Sequence, residues 1–407
     1  MSGGVKQALD GVNIAIFGGY AAGPWIGKVL ANFGATVVHV EAQSLPDGFR
    51  LQYPPFKDKK KGINRGATFS YFNDSKQAIT LDLKKPGGVE LAHRLLDWCD
   101  IVIENMRPGV MARLGLGYEE SIKTNPDLIM LSTCNMGQTG PRASAPGFGS
   151  QLSALAGFCG LTGVAGGPPM LLYGPYIDFI AALEGATVAL AALDKRRRTG
   201  KGCLIDVAQY ECGLSFIAGA LLDYHANDKV LDRSGNFDPK AAPHNAYACA
   251  NDSWIAISCW SDEEFGRLAT FIGHPEWLNE EAYATLDRRQ ANLSDLDEMI
   301  GEWCEAQDAD ALAGSLQEAG IHAYRVNSIA DLFTDEQLRH RGTWRKRRHP
   351  EIGDQAYYFP GFNLSEMPGD VTSAAPCLGA DNDVVYREYL GLSEEEYEKY
   401  RSQGVFD

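Results

Sequence analysis

Short apolar runs that break into glycine turns and are followed by helix-spaced segments recur through the first half of this chain. That alternation leaves few folds open. Residues 12–18 (V-N-I-A-I-F-G) form a continuous apolar run ending in G-G-Y-A-A-G-P, residues 25–33 have helical spacing, and residues 35–41 (A-T-V-V-H-V-E) form a second run closing on an acid. The pattern continues with strands at 78–83, 100–104, 128–134 and 203–207, separated by helices at 87–98 and near 110–115. Strands alternating with helices predict an α/β fold with a parallel, doubly wound sheet. Ligands in such sheets sit beyond the strand C-termini, which directs attention to Glu41-Ala42, to residues 104–109 (E-N-M-R-P-G) and to residues 135–141 (N-M-G-Q-T-G-P). The first βαβ unit suggests a dinucleotide site with Glu41 on a ribose, but Gly18, Gly19 and Gly23 do not form G-x-G-x-x-G and Pro24 intrudes at the helix start.

With 407 residues, the chain exceeds the usual range of one hydrophobic core. Residues 225–243 are polar and turn-rich, residues 247–259 alternate like strands, and residues 262–318 are largely amphipathic helix. We therefore expect a large domain of residues 1–224 and 326–407, and a small one of residues 225–325 with its linkers. A formal net charge of −16 argues against nucleic-acid binding, which needs a basic face. Nine cysteines without ligand spacing indicate a reduced protein with no metal site. The first residues lack the layout of a signal peptide, so a soluble, cytoplasmic protein is expected.

The segment 173–198 (Y-G-P-Y-I-D-F-I-A-A-L-E-G-A-T-V-A-L-A-A-L-D-K-R-R-R) places Asp178 between a Gly-Pro turn and a long apolar helix ending in four cations. Asp at that junction reads as an N-cap, whose carboxylate accepts first-turn N–H groups and stays ionised. No G-x-S-x-G, H-E-x-x-H or P-loop is present, and the histidines fall in unrelated contexts, with only His244 in a loop that a substrate could reach. A carboxylate is then the best available nucleophile, and Asp178 is the candidate.

These residues carry a family resemblance. L-D-G-V-N-I-A-I-F with A-G-P-W, V-H-V-E, N-D-S-K-Q-A-I-T-L-D-L-K, E-N-M-R-P-G-V-M-A-R-L-G, G-Q-T-G-P, Y-G-P-Y-I-D-F and the tail P-C-L-G-A-D-N-D-V-V resemble the class III CoA-transferases, which include formyl-CoA and carnitine CoA-transferases. The resemblance implies that Asp178 attacks an acyl-CoA thioester, giving a mixed anhydride and then an aspartyl-CoA thioester. The CoA thioester enters as a substrate, and no tightly bound cofactor is implied. Contacts to CoA would fall to Ala42, Leu81, Lys84, Asn105, Met106, Arg107, Arg113, Pro146, Gly147, Phe148 and Gly149. The family fold is a Rossmann-like large domain plus a smaller one in an interlocked-ring dimer.

Formyl-CoA transferase has a glutamine where this chain has Ala21, and a four-glycine run where this chain has S-G-N-F-D-P-K-A-A-P-H-N-A-Y. That points away from oxalate and formate and towards a larger acid contacted by Ala21, Asn236 and His244. Members acting on aromatic or dicarboxylic acids resemble this chain here, including benzylsuccinate transferases that use succinyl-CoA and are built from two different subunits. A homodimer or a heteromer with a paralogous subunit is thus implied, with neither nucleic acid nor membrane as partner. The alternative within the superfamily is α-methylacyl-CoA racemase, whose G-H-D base motif is replaced by Gly147-Phe148-Gly149. An NAD-dependent dehydrogenase is the remote third reading.

Overall fold

The computed structural model describes residues 6–407. Its main sheet has six parallel strands, β1 (Asn13–Phe17), β2 (Thr36–Glu41), β3 (Gln77–Thr80), β4 (Ile101–Glu104), β5 (Ile129–Cys134) and β6 (Cys203–Ala208), in the order β3-β2-β1-β4-β5-β6. The α/β fold with a parallel sheet is therefore as the sequence predicts. Because the chain steps one way from β1 to β3 and the other way from β4 onward, the loops leaving β1 and β4 diverge. A crevice opens at that switch point, beyond the strand C-termini.

Alternation along each strand sends side chains to two cores. Ile14 and Ile16 of β1 face a cluster with Ile26, Leu30, Ala181 and Ala189, while Ala15 and Phe17 face one with Leu91, Leu95, Tyr386 and Tyr400. Each fully buried large apolar side chain contributes about 1.5–3 kcal/mol. Pro24 fits after all, as the third residue of the Ala22–Ala31 helix, where its missing N–H would have had no intrahelical partner.

The Tyr176–Thr199 helix is long and apolar enough to cross a bilayer by composition, yet it packs on β5, β6 and the Ala22–Ala31 helix. Its buried face is made of Ala181, Ala182, Gly185, Ala186 and Ala189. Small residues let the two helices approach closely: a Cβ on Gly185 would lie 2.6 Å from Ile26 Cδ1. The helix stops at Gly200, in the left-handed region at φ 67°.

Residues 160–170 and 230–339 form a second compact unit, and the remaining described residues form the first. Within the second unit, the antiparallel strands β7 (His244–Cys249), β8 (Ser253–Ser258) and β9 (His322–Arg325) pair in that order. Their apolar residues Ile255 and Ile257 pack with Phe265, Leu268, Leu296 and Leu316 of the following helices. In the first unit, Ser393 and Glu396 form the capping box that their spacing announces, with Glu396 N–H donating to Ser393 Oγ at 3.2 Å and Ser393 N–H to Glu396 Oε2 at 3.0 Å.

Glu41, the acid that suggests a ribose contact, is committed elsewhere. The fully buried Arg50 donates to it through Nε at 2.8 Å and Nη2 at 2.7 Å, and the Asp47 N–H donates to its Oε2 at 2.8 Å. Burial pushes the Glu41 carboxyl up, but the hydrogen bonds and charge of Arg50 win and hold it below its ordinary range. Replacing Arg50 by Met would leave that carboxylate buried and unpaired, at a cost of about 3–5 kcal/mol. A lowered thermal midpoint for Arg50→Met is the expected result; an unchanged midpoint would show that the pair carries no such burden.

Candidate active site

A cavity of ≈ 340 Å³ opens at the switch point. The turn after β1 supplies Tyr20 and Ala21, the loop after β4 supplies Asn105, Met106, Arg107 and Pro108, and the end of β5 with the residue that follows it supplies Thr133, Cys134 and Asn135. The far wall is residues 143–148 together with Asp178 and Gln209.

Asp178 is not the helix cap that its sequence position suggests. Pro175 occupies the N-cap and makes no side-chain cap, so Asp178 is the third residue of the helix. A carboxylate at that position ordinarily reaches back to the N–H of the N-cap residue. Proline has no N–H. The carboxylate therefore lacks its local donor, and Oδ2 is sealed from solvent without a hydrogen-bond partner, although the residue as a whole is only half-buried. Burial pushes the Asp178 carboxyl up to about 7, against a smaller lowering contact with its own backbone N–H. The expected low-pKa, capped carboxylate is thus corrected to a desolvated one: at this helix start, loss of hydration outweighs the dipole.

Gly149, the first residue of the Gly149–Leu155 helix, lies directly on this carboxylate. A Cβ there would sit 1.9 Å from Asp178 Oδ2, so only glycine permits the approach. Phe148 ahead of it is 56% exposed and lines the cavity. The Gln151 side chain fixes the loop by accepting the Phe148 N–H at 3.1 Å, and Asn135 Nδ2 donates to Gly147 O at 3.0 Å. On the opposite wall Asn105 Nδ2 donates to Gly19 O at 2.7 Å, while its Oδ1 is buried without a partner.

Of the residues singled out from sequence, Ala21, Asn105, Met106, Arg107, Pro146, Gly147, Phe148 and Asp178 line this one cavity. Ala42 follows β2 and bridges to Leu45, Leu81 is buried after β3 with its N–H on Glu41 O at 2.6 Å, and Lys84 and Arg113 are exposed. These four are outside the cavity wall. Asn236 and His244 belong to the second unit, where His244 Nδ1 and Asn236 O lie 2.6 Å apart. Much of the turn at residues 135–141 serves structure: the Asp206 carboxylate accepts the Gln138 N–H at 3.0 Å to each oxygen.

Sequence reasoning misses Tyr20, Thr133, Cys134 and Gln209. Tyr20 follows the paired glycines of the first turn, and Gln209 directly follows β6, a strand-end position that marks it once the sheet order is known.

Comparison with known proteins decides the family. The description "CoA-transferase family III" matches residues 9–382. The chain belongs to that family. It is an enzyme that transfers CoA. Similar curated proteins include the succinyl-CoA–D-citramalate CoA-transferase of Chloroflexus aurantiacus, 33% identical with 98% of each chain covered. The alpha subunit of succinyl-CoA–L-malate CoA-transferase from the same organism is 32% identical, covering 99% of this chain and 94% of that one. The succinate–glutarate CoA-transferase of Agrobacterium fabrum is 31% identical over 83% of this chain and 84% of its own. Among solved structures, a CAIB/BAIF family protein from Brucella suis superposes with a TM-score of 0.87 at 30% identity, over 94% of this chain and 100% of that one.

The electrostatics of Asp178 predict a pH-dependent stability. Its folded-state pKa of about 7 lies above the ordinary carboxyl value. The folded state therefore pays nothing below about pH 4, loses stability by up to about 1.4 kcal/mol per pH unit as pH rises towards 7, and loses no more above that. Asp178→Asn removes the charge, so its stability relative to wild type should climb between about pH 4 and pH 7 and level off above that in urea titrations. A difference that stays flat with pH would mean that the carboxylate is hydrated after all.

Proposed function

We propose that this enzyme moves CoA from succinyl-CoA to a short dicarboxylic acid, with Asp178 as the covalent nucleophile. The observation that carries the reading is that Asp178, whose Oδ2 is buried without a hydrogen-bond partner, lines a cavity at the strand C-termini. Relatives named for succinyl-CoA together with citramalate or malate, and for succinate with glutarate, support the substrate class.

The steps follow from the chemistry of a bare carboxylate. Asp178 attacks the thioester carbonyl and the C–S bond breaks, giving an aspartyl–succinyl anhydride and CoA thiolate. The thiolate attacks the aspartyl carbonyl and releases succinate, leaving an aspartyl-CoA thioester. The acceptor carboxylate then attacks that thioester, expels the thiolate and forms a second anhydride; the thiolate takes the acceptor acyl group and Asp178 returns as carboxylate. No activated bond is lost to water at any step, provided that water is kept out.

Burial serves this twice. A carboxylate with one oxygen buried and unpartnered has little solvent shell to shed before attack, and the surroundings that strip it also protect the anhydrides. Gly149 has the second role, because its backbone reaches the reacting carboxyl without a side chain between them. With the Phe148 N–H engaged by Gln151, the backbone N–H of Gly149 would be the donor that meets oxyanion charge on the aspartyl carbonyl. Asn105, Met106 and Arg107 on one wall and Pro146, Gly147 and Phe148 on the other would hold the CoA moiety, with exposed Arg107 offering its guanidinium to a phosphate. Ala42, Leu81, Lys84 and Arg113, on neighbouring strand ends and the helix after β4, would receive the nucleotide end. The interlocked dimer of the family is proposed for this chain on the same footing, and a paired paralogue is suggested by the alpha and beta subunits of the malate enzyme.

Incubation with succinyl-CoA and hydroxylamine, followed by peptide mass spectrometry, should find the hydroxamate on Asp178. Asp178→Ala should retain less than about a thousandth of wild-type kcat. A label on another residue, or surviving activity, would sink the assignment. Because only the carboxylate attacks, kcat/KM should fall about tenfold per unit as pH drops below 7. A profile flat from pH 5 to 8 would contradict a nucleophile with this environment.

A further inference from the structure

The cavity wall also carries a strained tyrosine. Tyr20 has φ 63°, a left-handed conformation that bulky residues adopt only when their surroundings enforce it. Here the enforcement is explicit. The Tyr20 N–H donates to both carboxylate oxygens of Asp47, at 3.1 and 3.2 Å. Asp47 also accepts the Phe49 N–H at 2.8 Å, and its own N–H is held by Glu41 at 2.8 Å.

Two glycines make room for this arrangement. A Cβ on Gly19 would lie 2.9 Å from the Asp47 carboxyl, and one on Gly48 would lie 2.3 Å from the Tyr20 ring. The ring is then bracketed edge-on by Phe49, Tyr53 and Phe148, with centroids 5.5, 6.3 and 5.7 Å away. Phe148 is the residue before Gly149, so this aromatic wall is continuous with the backbone that touches Asp178.

The phenol adds direction. Tyr20 Oη donates to Gln52 Oε1 at 2.9 Å. With its proton committed, the hydroxyl oxygen offers only lone pairs to a ligand. Such a group repels a carboxylate oxygen and accepts from a hydroxyl. Resting on the transferase reading above, we propose that Tyr20 is a specificity-determining residue that selects short dicarboxylic acids bearing a hydroxyl group over their unsubstituted counterparts, and that Asp47 is the residue that positions it.

The test is the ratio of kcat/KM for a hydroxylated acceptor to that for an unsubstituted one, malate or citramalate against glutarate, with succinyl-CoA as donor. Wild type should favour the hydroxy acid. Tyr20→Phe keeps the ring and its packing but loses the hydroxyl and its bond to Gln52, so the ratio should fall by about tenfold, the worth of one hydrogen bond. Asp47→Ala should lower the ratio similarly by releasing the turn, and Asp47→Asn, which keeps one accepting oxygen, should restore most of it. If Asp47→Ala does not fold, Tyr20→Phe and Asp47→Asn still decide the matter.

An equal loss for both acids in Tyr20→Phe, or a wild-type enzyme that prefers the unsubstituted acid, overturns the inference while leaving the transferase reading intact. Absence of CoA transfer to every acid overturns both.

Discussion

The structure turns on one carboxylate that lacks its usual helix-start donor and has one oxygen buried without a partner. Asp178 stands in the first turn of a long helix, where N–H groups are normally plentiful for an acid, yet the one it would reach is missing because the N-cap residue is Pro175. Gly149 then closes over the same carboxyl oxygen with bare backbone. What would be a stabilising cap elsewhere becomes a group that costs stability when charged. Such a cost persists in a native protein only when the rest of the fold enforces it, as at functional sites generally.

The enforcement comes from the packing of the helix that carries Asp178. Its alanine and glycine face packs closely on the Ala22–Ala31 helix and on β5 and β6. Ile177, fully buried beside Asp178, is locked into a small core with Leu152, Ala156 and Phe158, which ties the Gly149–Leu155 helix to the same place. Asp178 and the loop that covers it are therefore parts of one packed body. On the opposite wall, a chain of buried charged groups does comparable work: Arg50 satisfies Glu41, Glu41 holds Asp47, and Asp47 holds the turn at Tyr20. Burial, and then the nearby Glu41, push the Asp47 carboxyl up to about 7, and burial is the leading reason that His39 beside it is held down to about 3 and stays neutral. The wall is held by hydrogen bonds to these groups more than by net charge.

Much of this architecture is legible in the order of the residues. The six main strands are visible because parallel strands buried on both faces read as continuous apolar runs, and the strand-end segment at Asn105, Met106 and Arg107 follows from the sheet rule. Motif resemblance locates Asp178 and the Pro146-Gly147-Phe148-Gly149 loop. Two positions mislead. Pro24 looks like an intruder at a helix start, although proline is at home in a first turn. Asp178 looks like a cap because helix boundaries inferred from sequence are uncertain by a few residues, which is all that separates a capping position from the third position it occupies.

By itself, then, the sequence determined the strand and helix alternation, the family and the candidate nucleophile, because periodicity and local motifs are properties of neighbouring residues. It also contained, in Gly174-Pro175-Tyr176-Ile177-Asp178, the reason for the missing N–H. Only the tertiary structure decided that this carboxylate is desolvated, that Gly149 lies against it, and that Tyr20 and Gln209 stand on the same cavity wall. Those relations join segments up to about 190 residues apart, and desolvation depends on everything that surrounds a group in space, which no local pattern of residues encodes.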